Sequence, residues 1–292
     1  MQYVYFLDII GNEVLDTVNL QSLAETGWNF YISENEVLKN VDLSSFQTAG
    51  LNFVFNGNPS LESITANNLV SVANDLKIGD NPVLTEASFP NLQNVDRDFV
   101  LRDDVSLETV TIPNLKTIGG DLQIEYVPMI VDLNDFENVQ SIGRDIRVFY
   151  TNSLQSLGGL KSLTSIGRDV VAENNAALLS LDLGVSSIDG DVILEYNPSL
   201  VDIGLPNLES ISRDLRIEDN LLLQTLDGIS NLKYVGRSFM AEFLPLSENL
   251  KLVKAGEDLR DPLPTESVAP ASSSNAGVQD AINDLQLNNV AP

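Results

Sequence analysis

The chain repeats one short pattern of apolar and polar residues about ten times between residues 6 and 237. In Asp75-Leu76-Lys77-Ile78, a polar residue precedes two apolar residues that are separated by one outward position. Such alternation predicts a half-buried β-strand, because successive side chains point to opposite faces. The first residues of the units, which we call the Asp column, are Phe6, Asn29, Asn52, Asp75, Asp98, Asp121, Asp145, Asp169, Asp191, Asp214 and Ser238.

Each unit carries two further apolar pairs, such as Leu61 with Ile64 and Leu92 with Val95. Three inward-facing segments in coils of 22–24 residues predict an all-β fold, a right-handed parallel β-solenoid of leucine-rich-repeat type with about ten coils. A unit of this size cannot bury its own apolar face, so only the stack forms a core.

The repeat predicts one solenoid domain over residues 1–250 rather than the two domains that length alone suggests. Residues 251–277 are rich in Pro, Ser and Ala and are predicted to form a flexible linker. Residues 278–292 form a short C-terminal segment whose apolar spacing is that of a short amphipathic helix.

A second polar column lies six residues after the Asp column. Asparagine tolerates left-handed backbone geometry, and its amide can bond to the next coil, so this column predicts an asparagine ladder at a corner. The Asp column itself follows Gly or Arg, which predicts turns in which Asp caps backbone N–H groups and Arg neutralises the stacked carboxylates. The second column contains Asn12, Asn35, Asn58, Asn81, Asn175, Asn197 and Asn220, with Asp104, Val127 and Thr151 as exceptions.

Three motifs resemble the receptor L-domain-like leucine-rich repeat: Ile118-Gly119-Gly120-Asp121-Leu122-Gln123-Ile124, Asn197-Pro198-Ser199-Leu200 and Leu226-Asp227-Gly228-Ile229. The resemblance covers about residues 6–245. It implies a ligand-binding domain located outside the cell or at its surface, as in growth-factor receptors and microbial surface proteins. Because the chain lacks the Cys-rich modules of the receptors, the microbial cell-surface type is favoured.

Composition removes several kinds of chemistry. The chain has no His and no Cys, which excludes a Ser-His-Asp triad, a thiol nucleophile, disulfides and imidazole or thiolate metal sites. Its 292 residues carry a net charge of −26, which argues against nucleic acid and anionic membranes as partners. No apolar run is long enough for a membrane span. We expect no cofactor, no metal ion and no catalytic residue.

The residues two, four and five positions after the Asp column are expected to point outward. Tyr and Arg dominate binding hot spots, and solenoids bind ligands on their flat faces. These residues predict a non-enzymatic recognition or adhesion module for a protein or glycan ligand, although outward aromatic residues also serve as ladder packing. The candidate ligand-binding residues are Tyr126, Arg147, Phe149, Tyr150, Tyr196, Arg216 and Phe243.

Two other hypotheses remain open. The chain could be a structural subunit of a virion, surface layer or appendage, because only five residues precede the first unit. An uncovered first coil favours self-association or a capping partner there. A polysaccharide-active enzyme is the third hypothesis, because Glu173, Glu195 and Glu218 fall on consecutive coils at the roughly 5 Å separation of a retaining glycosidase pair. The nearly constant coil length argues against it, because it leaves no long loop over a cleft.

Overall fold

The computed structural model describes residues 2–245 and confirms an all-β parallel solenoid of about ten coils. Over this range, strands alternate with turns and three short 3-10 helices. The predicted linker 251–277 and the C-terminal segment 278–292 lie outside the described residues.

One sheet, which we call the long sheet, takes one four-residue strand from every coil. Its register pairs equivalent positions of consecutive units, as in Leu122 with Ile146. The burial alternates along most strands, so the first and third residues face the core. Its eleven parallel strands are Leu7–Ile10, Phe30–Ser33, Phe53–Asn56, Leu76–Gly79, Phe99–Arg102, Leu122–Glu125, Ile146–Phe149, Val170–Glu173, Val192–Glu195, Leu215–Glu218 and Phe239–Glu242.

The second side of each coil is a two-residue strand just before the Asp column. The first eight of these strands form one sheet and the last three form another. The eight are Tyr3–Val4, Glu25–Thr26, Thr48–Ala49, Ser71–Val72, Asn94–Val95, Thr117–Ile118, Ser141–Ile142 and Ser165–Ile166, and the three are Ser187–Ile188, Ser210–Ile211 and Tyr234–Val235.

The third side changes character along the chain. It is extended in the first coils, with strands Thr17–Asn19, Asn40–Asp42, Ser63–Thr65, Glu86–Ser88 and Thr109–Thr111. After Thr111 the structure has 3-10 helices at Asn134–Phe136, Gly158–Leu160 and Asp227–Ile229, where the apolar spacing predicted only extended segments. Gly and Asp in these segments disfavour strands and favour turns, which accounts for the difference.

The core is one continuous cluster of buried side chains. In the first coils it is filled by phenylalanine, and the ring centroids of Phe30 and Phe53 are 4.9 Å apart. Phe46 and Phe89 also contact Phe53. Between Val139 and Val235 the buried apolar side chains are all aliphatic.

The hydrogen-bonded asparagine ladder is confirmed, but the left-handed residue is the one before each asparagine rather than the asparagine itself. The backbone N–H of Asn58 donates to Oδ1 of Asn81 at 3.1 Å, and Nδ2 of Asn58 donates to the carbonyl of Ile32 at 3.0 Å. The same pattern recurs at Asn35 and Asn197. These amides are fully buried, so the ladder satisfies backbone groups that would otherwise be costly to bury.

The Asp column forms a second ladder. The N–H of Asp121 donates to Oδ1 of Asp98 at 3.0 Å, and Arg144 reaches both carboxylates, with nitrogen–oxygen distances of 2.5 Å to Asp98 and 3.2 Å to Asp121. A Cβ atom at Gly120 would collide with the Asp98 carboxylate, so this position needs glycine. The predicted capping by Asp and neutralisation by Arg are therefore both present.

Candidate ligand-binding face

Every strand of the long sheet is followed at once by a residue in the left-handed backbone conformation, with φ between 53° and 69°. We call this position the left-handed corner. It lies between the C-terminal residue of the strand and the buried asparagine column. Its residues are Gly11, Glu34, Gly57, Asp80, Asp103, Tyr126, Tyr150, Asn174, Tyr196, Asp219 and Phe243.

Four of the predicted site residues occupy this corner. Gly, Asn and Asp adopt the left-handed conformation readily, whereas a bulky side chain there is an outlier that costs about 1–2 kcal/mol. The exposed fractions are 43% for Tyr126, 40% for Tyr150, 51% for Tyr196 and 57% for Phe243. Neither core burial nor backbone preference therefore accounts for aromatic residues at these positions.

The corner aromatics are not one continuous stack. Tyr126 and Tyr150 are on adjacent coils, and their rings stack with centroids 4.6 Å apart and an interplanar angle of 10°. This contact is the ladder packing that the alternative interpretation expects for outward aromatic residues. Asn174 lies between Tyr150 and Tyr196, and Asp219 lies between Tyr196 and Phe243, so the last two rings stand apart.

Arg147 and Phe149 are on the strand Ile146–Phe149, and both side chains are half-buried. Nη2 of Arg147 lies 2.7 Å from Oδ2 of Asp145, which holds the guanidinium against the strand. Its buried Nε has no hydrogen-bond partner. The structure thus places both residues on the strand that ends at Tyr150, with Arg147 already engaged by the carboxylate that directly precedes this strand.

Arg216 lies within a row of glutamates. Its Nη1 is 3.3 Å from Oε1 of Glu195, and its Nε is 3.4 Å from Oε1 of Glu218. The register pairs Glu173 with Glu195 and Glu195 with Glu218, as predicted. Partial burial, followed by the charge of Glu195, raises the pKa of both Glu173 and Glu218 above the ordinary value. This end of the face therefore carries an excess of negative charge around one guanidinium.

A second cluster of exposed aromatic residues was not predicted from the sequence. The ring centroids of Tyr5 and Trp28 are 5.3 Å apart, and those of Tyr5 and Phe6 are 6.4 Å apart. All three side chains are at least half exposed. Tyr5 and Trp28 are 23 residues apart, one coil length, so the repeat spacing contained the signal that they are neighbours.

Between residues 2 and 245 no helix is long and apolar enough to cross a membrane. In the same range no three acidic side chains are grouped so that they could hold a metal ion.

Comparison with known proteins supports the resemblance inferred from the repeat motifs. The family model described as Receptor L domain matches residues 114–234, which contain Tyr126, Tyr150 and Tyr196. Among curated proteins, no match was found. The receptor L domain is a ligand-binding module without catalytic function. In fold and in repeat sequence, residues 114–234 of this chain are therefore similar to the receptor L domain, a ligand-binding module of receptor type.

Proposed function

We propose that this protein is a non-enzymatic recognition or adhesion module at the cell surface or outside the cell. Its ligand, a protein or a glycan, binds to the long sheet and left-handed corner between residues 121 and 243. The observation that supports this most is the placement of Tyr126, Tyr150, Tyr196 and Phe243 at exposed, left-handed positions that disfavour aromatic residues.

The physical basis of binding is burial of the aromatic rings against the ligand. Tyr offers a large apolar surface together with a hydroxyl group, and it loses little conformational freedom because it has only two side-chain torsions. The stacked pair Tyr126–Tyr150 is already ordered, so less entropy is lost when a ligand covers it. The glutamate row around Arg216 repels anionic ligands and thereby adds specificity.

The test is the double substitution Tyr150→Asn and Tyr196→Asn. Asparagine occupies the same corner at Asn174, so the fold tolerates it there. The wild-type chain is screened against a glycan array and an array of extracellular proteins, and each bound ligand is then titrated against the variant. We expect at least a tenfold loss of affinity, because two aromatic anchors are removed.

The matched control is Asp80→Asn, at the same corner of an earlier coil. It leaves all the aromatic residues in place, so its affinity should equal that of the wild type. Ligands that bind the double variant as tightly as the wild type would show that the face is assigned wrongly.

The cluster of Tyr5, Phe6 and Trp28 favours a second candidate function, assembly through the first coil. A cluster of exposed apolar side chains favours burial against another chain. Trp28→Ser should then convert an assembled species to monomer in sedimentation-velocity measurements. A wild-type chain that stays monomeric at high concentration would count against assembly and leave the recognition face unaffected.

A further inference from the structure

Asp104 is a carboxylic acid at a position of the asparagine ladder, one rung, where the preceding coils have asparagine. Its side chain is fully buried. Oδ1 accepts hydrogen bonds from the backbone N–H of Asn81 at 2.8 Å and from Nδ2 of Asn81 at 3.2 Å. Oδ2 has no hydrogen-bond partner.

The repeat indicates what Oδ2 faces. On the two preceding rungs the amide Nδ2 occupies this position and donates to two carbonyls. Nδ2 of Asn81 donates to Phe55 at 3.2 Å and to Gly79 at 2.8 Å, and Nδ2 of Asn58 donates to Ile32 and Asn56. For Asp104, one coil further along the chain, the equivalent carbonyls 26 and 2 residues earlier are those of Ile78 and Arg102. A carbonyl oxygen only accepts, so an ionised carboxylate facing it makes no bond and repels it.

We infer that Asp104 is a proton-binding site in the folded protein. The chain keeps this carboxyl neutral, with Oδ2–H donating to the carbonyl oxygen of Arg102 or Ile78 and Oδ1 accepting from Asn81. The proton replaces one of the two amide hydrogens that an asparagine would supply at this rung. The next rung is Val127, which offers no polar group, so the carboxyl has no partner on that side.

The electrostatic environment of Asp104 also favours the neutral form of its carboxyl group. Burial raises the pKa of Asp104 to about 7, with further contributions from the negative charges of Asp80 and Asp103. The hydrogen bonds from Asn81 act in the opposite direction and are outweighed. The nearest cation in sequence, Arg102, is directed instead at Asp103 and Glu125, at 3.2 and 3.6 Å.

The site makes the stability of this corner depend on pH. An unfolded aspartate has a pKa near 3.9, so between about pH 4 and 7 the folded state binds one more proton than the unfolded state. Stability therefore falls as the pH rises through this window, by about tenfold in the folding equilibrium constant for each pH unit. Above about pH 7 the buried carboxylate faces carbonyl oxygens without its proton.

The direct experiment is a ¹³C NMR titration of the Asp104 side-chain carboxyl in the full chain. We expect its chemical shift to change with a midpoint near pH 7. A midpoint below pH 5 for Asp104 would overturn the inference.

The second measurement is urea unfolding of Asp104→Asn at pH 5 and pH 8.5. Asparagine supplies the amide hydrogens of the other rungs, so the variant should gain about a hundredfold in folding equilibrium constant over the wild type between the two pH values. The control Asp103→Asn removes the same charge one residue away and should show no such gain. Equal effects of the two variants would contradict the inference, as would stabilisation by Na⁺, K⁺ or Ca²⁺ that Asp104→Asn abolishes, because a cation would then occupy the site.

Discussion

The two halves of the solenoid use aromatic residues in opposite ways. In the first coils, phenylalanines such as Phe30 and Phe53 fill the core, and the left-handed corner holds Gly, Glu and Asp. Between Val139 and Val235 the buried apolar side chains are aliphatic, and from Tyr126 onward tyrosine and phenylalanine occupy four of the six corner positions. The long sheet and its left-handed corner recur in both halves, so they do not require the exchange. An aromatic residue at a corner position that disfavours it is therefore a better indicator of function than the presence of aromatic residues alone.

The largest expected effect belongs to the core of the first half. Phe53→Ala should lower the free energy of unfolding by about 3–5 kcal/mol, because it leaves a cavity among Phe30, Phe46 and Phe89. Urea unfolding measures the loss. Ligand binding by the second half should be unchanged. If the folded variant lost ligand affinity as well as stability, the core phenylalanines of the first half would not have a purely structural role.

Arg144→Ala tests the Asp ladder, which runs through both halves. Asp98 and Asp121 would lose a shared partner, at a cost of about 2 kcal/mol because the guanidinium is partly exposed. Burial acts to raise the pKa of Asp98, but the N–H of Asp121 and Arg144 outweigh it and lower that pKa.

A lowered pKa means that this contribution is present above about pH 4 and is lost as the pH falls further. The acid dependence of Asp98 is thus opposite to that of Asp104. Unfolding of Arg144→Ala between pH 3 and 6 should depend less on pH than unfolding of the wild type, and an unchanged slope would show that Arg144 is not the cause.

A smaller effect separates the corner aromatics from the core aromatics. Tyr196→Asn should raise the free energy of unfolding by about 1 kcal/mol, because it relieves a left-handed tyrosine. Tyr150→Asn should change it by less, because relief of the same strain is offset by loss of the stacked ring of Tyr126, worth about 0.5–1.5 kcal/mol. Thermal unfolding distinguishes the two, and destabilisation by Tyr196→Asn would mean that this tyrosine has a structural role.

The smallest effect is expected at the glutamate row. Glu195→Gln removes a charge that raises the pKa values of Glu173 and Glu218, so both should move down toward their ordinary range. Stability should change by less than about 0.5 kcal/mol, because the row is partly exposed. NMR titration of the two carboxyl groups provides the measurement, and unchanged midpoints would leave burial as the sole cause.

Much of the fold could be predicted because each structural column recurs at a fixed spacing. The pairing of Leu122 with Ile146 and the burial of the asparagines follow from that spacing. The 3-10 helix Gly158–Leu160 was missed because apolar residues three apart suit an extended corner and a tight helical turn equally well.

The candidate site was less predictable. Its residues could be selected as outward aromatics. The positive φ of Tyr150, however, is indicated only by the Gly, Asn and Asp residues at the equivalent positions of other coils, not by the tyrosine itself. The bridging of two coils by Arg144 and the orphaned oxygen of Asp104 likewise depend on atoms of neighbouring coils.

Because the left-handed corner recurs once in every coil, the four aromatic rings at this corner lie at whole multiples of the coil spacing. Neighbouring coils are about 4.8 Å apart, and the rings stand on the first, second, fourth and sixth coils counted from Tyr126. Consecutive rings are therefore about 5, 10 and 10 Å apart along the solenoid axis. Contact with all four rings requires a ligand segment about 24 Å long. Gain or loss of one whole coil during evolution would change the accepted length by a single step without any other change in the fold.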